Sequence, residues 1–123
     1  MNKTTPQKLG RLGEQKAIEY LKYQGYNVLT KNYRWARGEI DLIATDKNTL
    51  VFFEIKTSSL KNRFGSPETW VNSRKQQQIG NTALKYLQEH DLENMDCRFD
   101  VIGVIYDGCG NWYFRHIQDA FWL

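Results

Sequence analysis

Sulfur, imidazole and proline are all scarce in this chain: two cysteines, two histidines and two prolines in 123 residues. Cys97 and Cys109 fall into no CxxC pattern, so neither a disulfide framework nor a structural zinc site is signalled. His90 and His116 stand alone in sequence and are assigned no role. No apolar run approaches the roughly 18 residues of a membrane span, and Met1 to Lys8 contains no stretch of signal-peptide length. The chain is therefore expected to be soluble and cytoplasmic, with no membrane association. Internal repeats and low-complexity tracts are also missing, which excludes solenoids and disordered arrays. The excess of one charge sign is small, +3, enough to permit nucleic-acid binding but not to establish it.

What remains is ordinary globular material, 41% hydrophobic and 25% charged. A chain of this length buries roughly two-thirds of its unfolded surface, so one domain over residues 1–123 is expected. The stretch the rest is organised around runs from Gly38 to Thr57, GEIDLIATDKNTLVFFEIKT. β-Rich, alternating residues flank the polar cluster Asp46-Lys47-Asn48-Thr49, which predicts an antiparallel hairpin. With Lys47 and Asn48 at its tip, Asp41 falls opposite Glu54 and Glu39 opposite Lys56. Residues so opposed have Cβ atoms about 4.5–5.5 Å apart, and like charges there are destabilising. A bound cation removes the conflict, because a hard divalent ion such as Mg²⁺ is held by one or two carboxylates plus water and substrate phosphate. Strand side chains alternate, so Lys56 shares the face of Asp41 and Glu54, as do Ile43 and Phe52. Ile40, Leu42, Ala44, Val51, Phe53 and Ile55 form the other face. Acid, acid and ammonium beside apolar walls is the pattern of a reactive site. The bland alternative is an exposed hairpin whose Glu–Lys pairs contribute only about 0–1 kcal/mol.

Around the hairpin, Thr5-Pro6 and the spacing of Leu9, Leu12, Ala17, Ile18 and Leu21 predict a helix over Pro6–Gln24, stopped by Gly25. Gly10 and Gly13 lie inside it, and interior glycines weaken a helix by roughly 0.5–1 kcal/mol each relative to alanine, so a close approach by another element is expected. Glu14 follows and can project toward that place or simply be solvated. Tyr26–Tyr33 reads as a first strand. In Lys31-Asn32-Tyr33-Arg34-Trp35-Ala36-Arg37, cations alternate with aromatics, a segment suited to phosphate contact and base stacking or to a strand end with Tyr33 and Trp35 in the core. Ser58–Pro67, containing Lys61 and Arg63, reads as a mobile loop at the mouth of the hairpin. A capping box at Ser73 and Gln76 opens a second helix, Arg74–Glu89, with Ile79, Ala83, Tyr86 and Leu87 on one face. Phe99–Tyr106 is a strand buried on both faces, and Asn111–Ile117 follows as another. Phe121 and Trp122 are expected to cover the core. The crossover through the second helix should be parallel and right-handed, giving an α/β fold with a mixed central sheet flanked by helices.

The Asp41 … Glu54-x-Lys56 pattern, preceded by a helical Glu14, resembles the PD-(D/E)XK nuclease superfamily. Nearly the whole chain is similar to the YraN-type family of predicted endonucleases, relatives of archaeal Holliday-junction resolvases. The matching pieces are Gly10-x-x-Gly13-Glu14-x-x-Ala17, Gly38-Glu39-Ile40-Asp41-Leu42-Ile43, Phe53-Glu54-Ile55-Lys56, Lys75 with Ala83 and Tyr86-Leu87, Arg98-Phe99-Asp100-Val101, and His116-Ile117 with Ala120-Phe121. One departure is Ile40, which stands where the superfamily places a proline before the aspartate. The resemblance implies a restriction-endonuclease-like αβββαβ core. It also implies a Mg²⁺ or Mn²⁺ site made by Asp41, Glu54 and the Ile55 carbonyl and completed by Glu14, with Lys56 positioning or deprotonating the attacking water. The implied activity is DNA phosphodiester hydrolysis, at branched or single-stranded structures. Nucleic-acid contacts are expected from Lys31, Arg34, Trp35, Arg37, Lys61, Arg63, Arg74 and Lys75, and homodimer formation is left open. The other class to weigh is a nucleic-acid-binding or protein-docking module that keeps the fold with little or no turnover.

Overall fold

The computed structural model of the chain describes residues 5–60 and 71–121. Helix α1 covers Pro6–Tyr23; the Thr5 hydroxyl accepts from the Lys8 amide at 3.1 Å, and Gly25 follows the last turn at φ +99°. Three strands come next, β1 (Asn27–Trp35), β2 (Gly38–Asp46) and β3 (Thr49–Ser59). After them come α2 (Ser73–Glu89), β4 (Asp96–Tyr106) and β5 (Trp112–Ile117). The strands form one five-stranded sheet in chain order, in which β3 and β4 are parallel and the other neighbours antiparallel.

The hairpin of β2 and β3 has the tip expected from the sequence. Asp46 pairs with Thr49 and Leu42 with Phe53, while Lys47 takes a left-handed φ of +56° in the turn. Its two faces go to different helices. Leu42, Ala44, Val51 and Phe53 pack with Ala17 and Leu21 of α1, whereas Ile43 and Phe52 pack with Ile79, Ala83 and Tyr86 of α2. Ile40 departs from the expected alternation and joins the α2 side. The break falls at Asp41, in register with Asn32 of β1, which holds φ +52° between the Lys31–Leu42 and Tyr33–Ile40 pairs. A left-handed residue inside a strand interrupts the two-residue period, so Tyr33 and Ile40 turn together toward α2.

Two other expectations are corrected. Ser58 and Ser59 belong to β3 rather than to a loop, because parallel pairing with β4 continues to Ser59–Tyr106. Residues 61–67 of that expected loop, with Lys61 and Arg63, lie outside the described residues, as does Trp122. Asn72 caps α2, its Oδ1 accepting from the Lys75 amide at 2.9 Å, so Ser73 is the first helical residue. The Gln76 side-chain amide donates to the Val71 carbonyl instead of closing a capping box. Asn is as good an N-cap as Ser, and whichever oxygen reaches the third amide wins.

Away from the hairpin's open end, a buried polar cluster ties β2, β4 and β5 to Tyr26, the residue before β1. Asp100, with no exposed surface, accepts from Arg98 Nε, from the Asp119 amide, and meets His116 Nε2 at 2.7 Å. Arg98 also reaches Asp46 at 3.2 Å and the Tyr26 hydroxyl at 2.7 Å. Phe121 stacks on Phe99 from the C-terminal side. Among the described residues, no helix is long and apolar enough to cross a membrane.

The two helical glycines differ in their surroundings. A Cβ on Gly13 would stand 2.1 Å from Thr57 Oγ1, whereas one on Gly10 meets nothing within 4 Å. Gly13→Ala should therefore destabilise the fold by about 1–3 kcal/mol through overpacking of α1 on β3. Gly10→Ala should stabilise it by about 0.5–1 kcal/mol through the helix propensity of alanine. Urea unfolding of both variants checks the pair, and equal effects of the same sign would contradict the packing of α1 on β3.

Candidate functional site

Beyond the Leu42–Phe53 pair the antiparallel ladder between β2 and β3 ends. β3 continues straight along β4, and Asp41 bridges the divergence by accepting from the Ile55 amide through Oδ2 at 2.7 Å. A carboxylate thus takes the place of a ladder carbonyl, and its burial is tolerated because its oxygen is hydrogen-bonded. The opened wedge is a cavity of about 330 Å³ lined by Arg37, Glu39, Asp41, Glu54, Asn72, Arg74, Lys75, Gln78 and Ile79. Asp41 and Glu54 therefore share one cavity on the α2 face of the sheet. Glu54 is only 7% exposed, and Lys75 Nζ donates to its Oε1.

The α2 helix closes the wedge because the chain leaves room for it. A Cβ at Gly38 would lie 1.9 Å from Thr82 Oγ1 and 2.7 Å from the Gln78 carbonyl oxygen, so the first residue of β2 rests directly on the helix backbone. Ala36, at φ +53°, turns the chain between Trp35 and Gly38 and leaves Arg37 at the cavity rim. Cations from this turn and from the first turn of α2 thus stand over an acidic floor.

Sequence-predicted residues distribute unevenly about this wedge. Lys56, two residues beyond Glu54 on the same strand face, is exposed and does not line the cavity. Glu39 lines the cavity and pairs with Arg34, not Lys56. Glu14 lines a separate groove of about 700 Å³ between α1 and β1, together with Arg11, Lys22 and Lys31. Its charge still reaches Asp41. Trp35 is 43% exposed beside Lys85, whose Nζ lies 6.0 Å from the ring centre. Among the described residues, no three His, Cys, Asp or Glu side chains gather closely enough to hold a metal ion. The donor set in the wedge is Asp41 with Glu54. That set suits a hard ion, which needs only one or two carboxylates when water and phosphate complete its shell.

Sequence reasoning missed the partner of Glu54. Lys75 was expected at a phosphate, and no local signal pairs a lysine in the first turn of α2 with a carboxylate on β3. The Asp100 cluster was missed as well, although Arg98-Phe99-Asp100 places an ion pair on one face of a strand.

A mixed sheet of this order, with helices on both faces and acids where β2 and β3 part, defines an α/β protein of restriction-endonuclease-like architecture. The chain belongs to the Uncharacterised protein family UPF0102, the YraN family, which it matches over residues 13–104. A UPF0102 protein of Chlorobium limicola is 43% identical to it, over 95% of this chain and 94% of the relative. Another, from Chlorobium chlorochromatii, is 45% identical over 94% and 92%. A third, from Coxiella burnetii, is 41% identical over 91% and 93%.

The wedge is electrostatically strained. Burial first, then the charge of Glu54, push the Asp41 carboxyl up to about 8; the Ile55 amide pulls it back, and Glu14 and Glu39 add to the rise. An aspartate in the unfolded chain ionises near pH ~3.9. Between these values the folded protein holds a proton that the unfolded chain has released, so stability falls as pH rises through that window. Asp41→Asn removes the titration and should flatten the decline. Chemical unfolding of both proteins in chelator at about pH 5 and about pH 9 measures it; parallel profiles would mean that Asp41 is not the strained group.

Proposed function

We propose that the protein is a metal-dependent endonuclease that hydrolyses DNA phosphodiester bonds, with branched or single-stranded structures as its substrates. The observation that carries this reading is the wedge itself. A buried Glu54 and a half-buried, strained Asp41 lie under a rim of Arg37, Arg74 and Lys75. An acidic floor with a cationic rim matches a substrate that is an anion requiring a cation for its cleavage.

Asp41 and Glu54 would hold Mg²⁺ or Mn²⁺ with the Ile55 carbonyl, and Glu14 would add its charge from the α1 side. The ion supplies neutralisation of the phosphodiester and a lowered pKa for bound water. Lys56, exposed on β3 beyond Glu54, would reach back to orient the attacking water or accept its proton. Arg37 and Arg74 bind flanking phosphates, and the exposed Trp35 at the adjoining turn offers a stacking surface for an unpaired base. Lys31, across the sheet edge in the α1 groove, extends the cationic track. Arg34 is engaged with Glu39 and contributes less.

Removal of single groups separates binding from chemistry. Glu54→Ala should lose both metal binding and cleavage, whereas Lys56→Ala should bind the ion and fail to cleave. Calorimetric Mn²⁺ titration beside cleavage assays on linear, nicked and branched DNA tests both. Wild-type protein that binds Mn²⁺ and branched DNA yet cleaves no better than either variant would be a binding module with this fold. Reversing Arg37 and Arg74 to Glu should weaken binding to all sequences alike. It should also flatten the plot of log affinity against log salt by about 0.9 for each duplex phosphate that is no longer neutralised. An affinity indifferent to salt would remove the polyanion from the proposal.

A further inference from the structure

We propose that Lys75 is a resident counter-cation which a divalent ion must displace from Glu54, so that metal loading releases an ammonium group toward the substrate phosphate. This inference rests on the metal-dependent reading above and adds a coupling between its two ligands.

Three observations converge on it. Glu54 is 7% exposed, so its charge needs a partner, and the partner it has is Lys75 rather than the strand neighbour Lys56. The ammonium group on Glu54 Oε1 competes with a metal ion for the charge of that carboxylate, and two cations repel each other at close range. The Lys75 side chain is 46% exposed, while its backbone amide is fixed to Asn72 Oδ1 at 2.9 Å. Its Cα is thus anchored at the wedge, and a flexible four-carbon stem can swing the charge from the acid to the solvent side without moving the helix. Finally, Arg74 and Lys75 sit in the first turn of α2, which contains no acidic residue. Cations there oppose the helix macrodipole, a cost that Glu54 offsets in the metal-free protein and that a phosphate at the helix N-terminus would offset after release.

Displacement makes the two ligands help each other. An ion that takes Glu54 frees Lys75 for the phosphate, and a phosphate that draws Lys75 away uncovers Glu54, a reciprocity that linkage requires. Lys75 is a positioning residue in this scheme, acting on the reaction through Glu54 and the phosphate.

The test uses the full chain with Lys75→Met and Lys75→Arg. Titrated with Mn²⁺ alone, Lys75→Met should bind about two- to tenfold more tightly than wild type, the range expected for removing a half-exposed ion pair that competes with the metal. Lys75→Arg should stay near wild type. Single-stranded DNA titrated in Ca²⁺ should bind Lys75→Met more weakly, and adding Ca²⁺ should raise its DNA affinity less than it does for wild type. A lysine that only touches phosphate would lower DNA affinity and leave Mn²⁺ affinity unmoved. Unchanged or weaker Mn²⁺ binding by Lys75→Met, with wild-type binding that depends on Glu54, overturns the displacement alone. Wild-type protein that binds no Mn²⁺, or whose binding survives Glu54→Ala, overturns the metal site and this inference with it.

Discussion

The hydrogen bond from the Ile55 amide to Asp41 Oδ2 at 2.7 Å marks the point on which the geometry of the wedge depends. On the tip side of it, β2 and β3 pair regularly from Asp46–Thr49 to Leu42–Phe53; past it they separate. A backbone amide left unpaired at such a fork costs free energy comparable to a broken hydrogen bond, and Asp41 satisfies it with a side chain. That solution places a carboxyl group in a half-dry position beside Glu54, where burial and like charge resist ionisation. The strain and the satisfied amide are two sides of one interaction.

The remaining parts of the wedge can be followed outward from this hydrogen bond. Asn32, left-handed on β1, turns Tyr33 and Ile40 toward α2 and supports the parting of the strands. Gly38 lets β2 begin against the α2 backbone, and Asn72 fixes where that helix starts. Arg37, Arg74 and Lys75 arrive at one rim from two separate stretches of chain. Glu14 stays on the α1 side, in another groove, and touches the wedge through its field alone.

The two ends of the hairpin are stabilised in opposite ways. At the tip, Asp46 is tied through Arg98 to the fully buried Asp100, which also holds His116 and the Asp119 amide. A buried network with every member satisfied is rigid, and a half-satisfied one is costly; no buried side-chain polar atom among the described residues lacks a partner. At the open end the corresponding charges line a cavity instead of filling it. A satisfied network at the tip therefore stands opposite an open end lined by charged side chains.

Sequence alone determined the elements, because their signals are local. Thr5-Pro6 and the apolar spacing after it specify α1, and the polar tip Lys47-Asn48 specifies the hairpin register from Asp46–Thr49 to Leu42–Phe53. The shared face of Asp41 and Glu54 followed from that register, and the family was legible in the same motifs. What only the tertiary structure decided lies where distant segments meet. The ladder stops before Asp41 reaches Glu54, since Asp41 caps the Ile55 amide instead. Lys75, remote in sequence and one helix away, takes Glu54, while Lys56, its neighbour on the strand, remains exposed. The reason is that periodicity reports which face a side chain occupies, whereas the partner it finds there depends on which other element packs over that face.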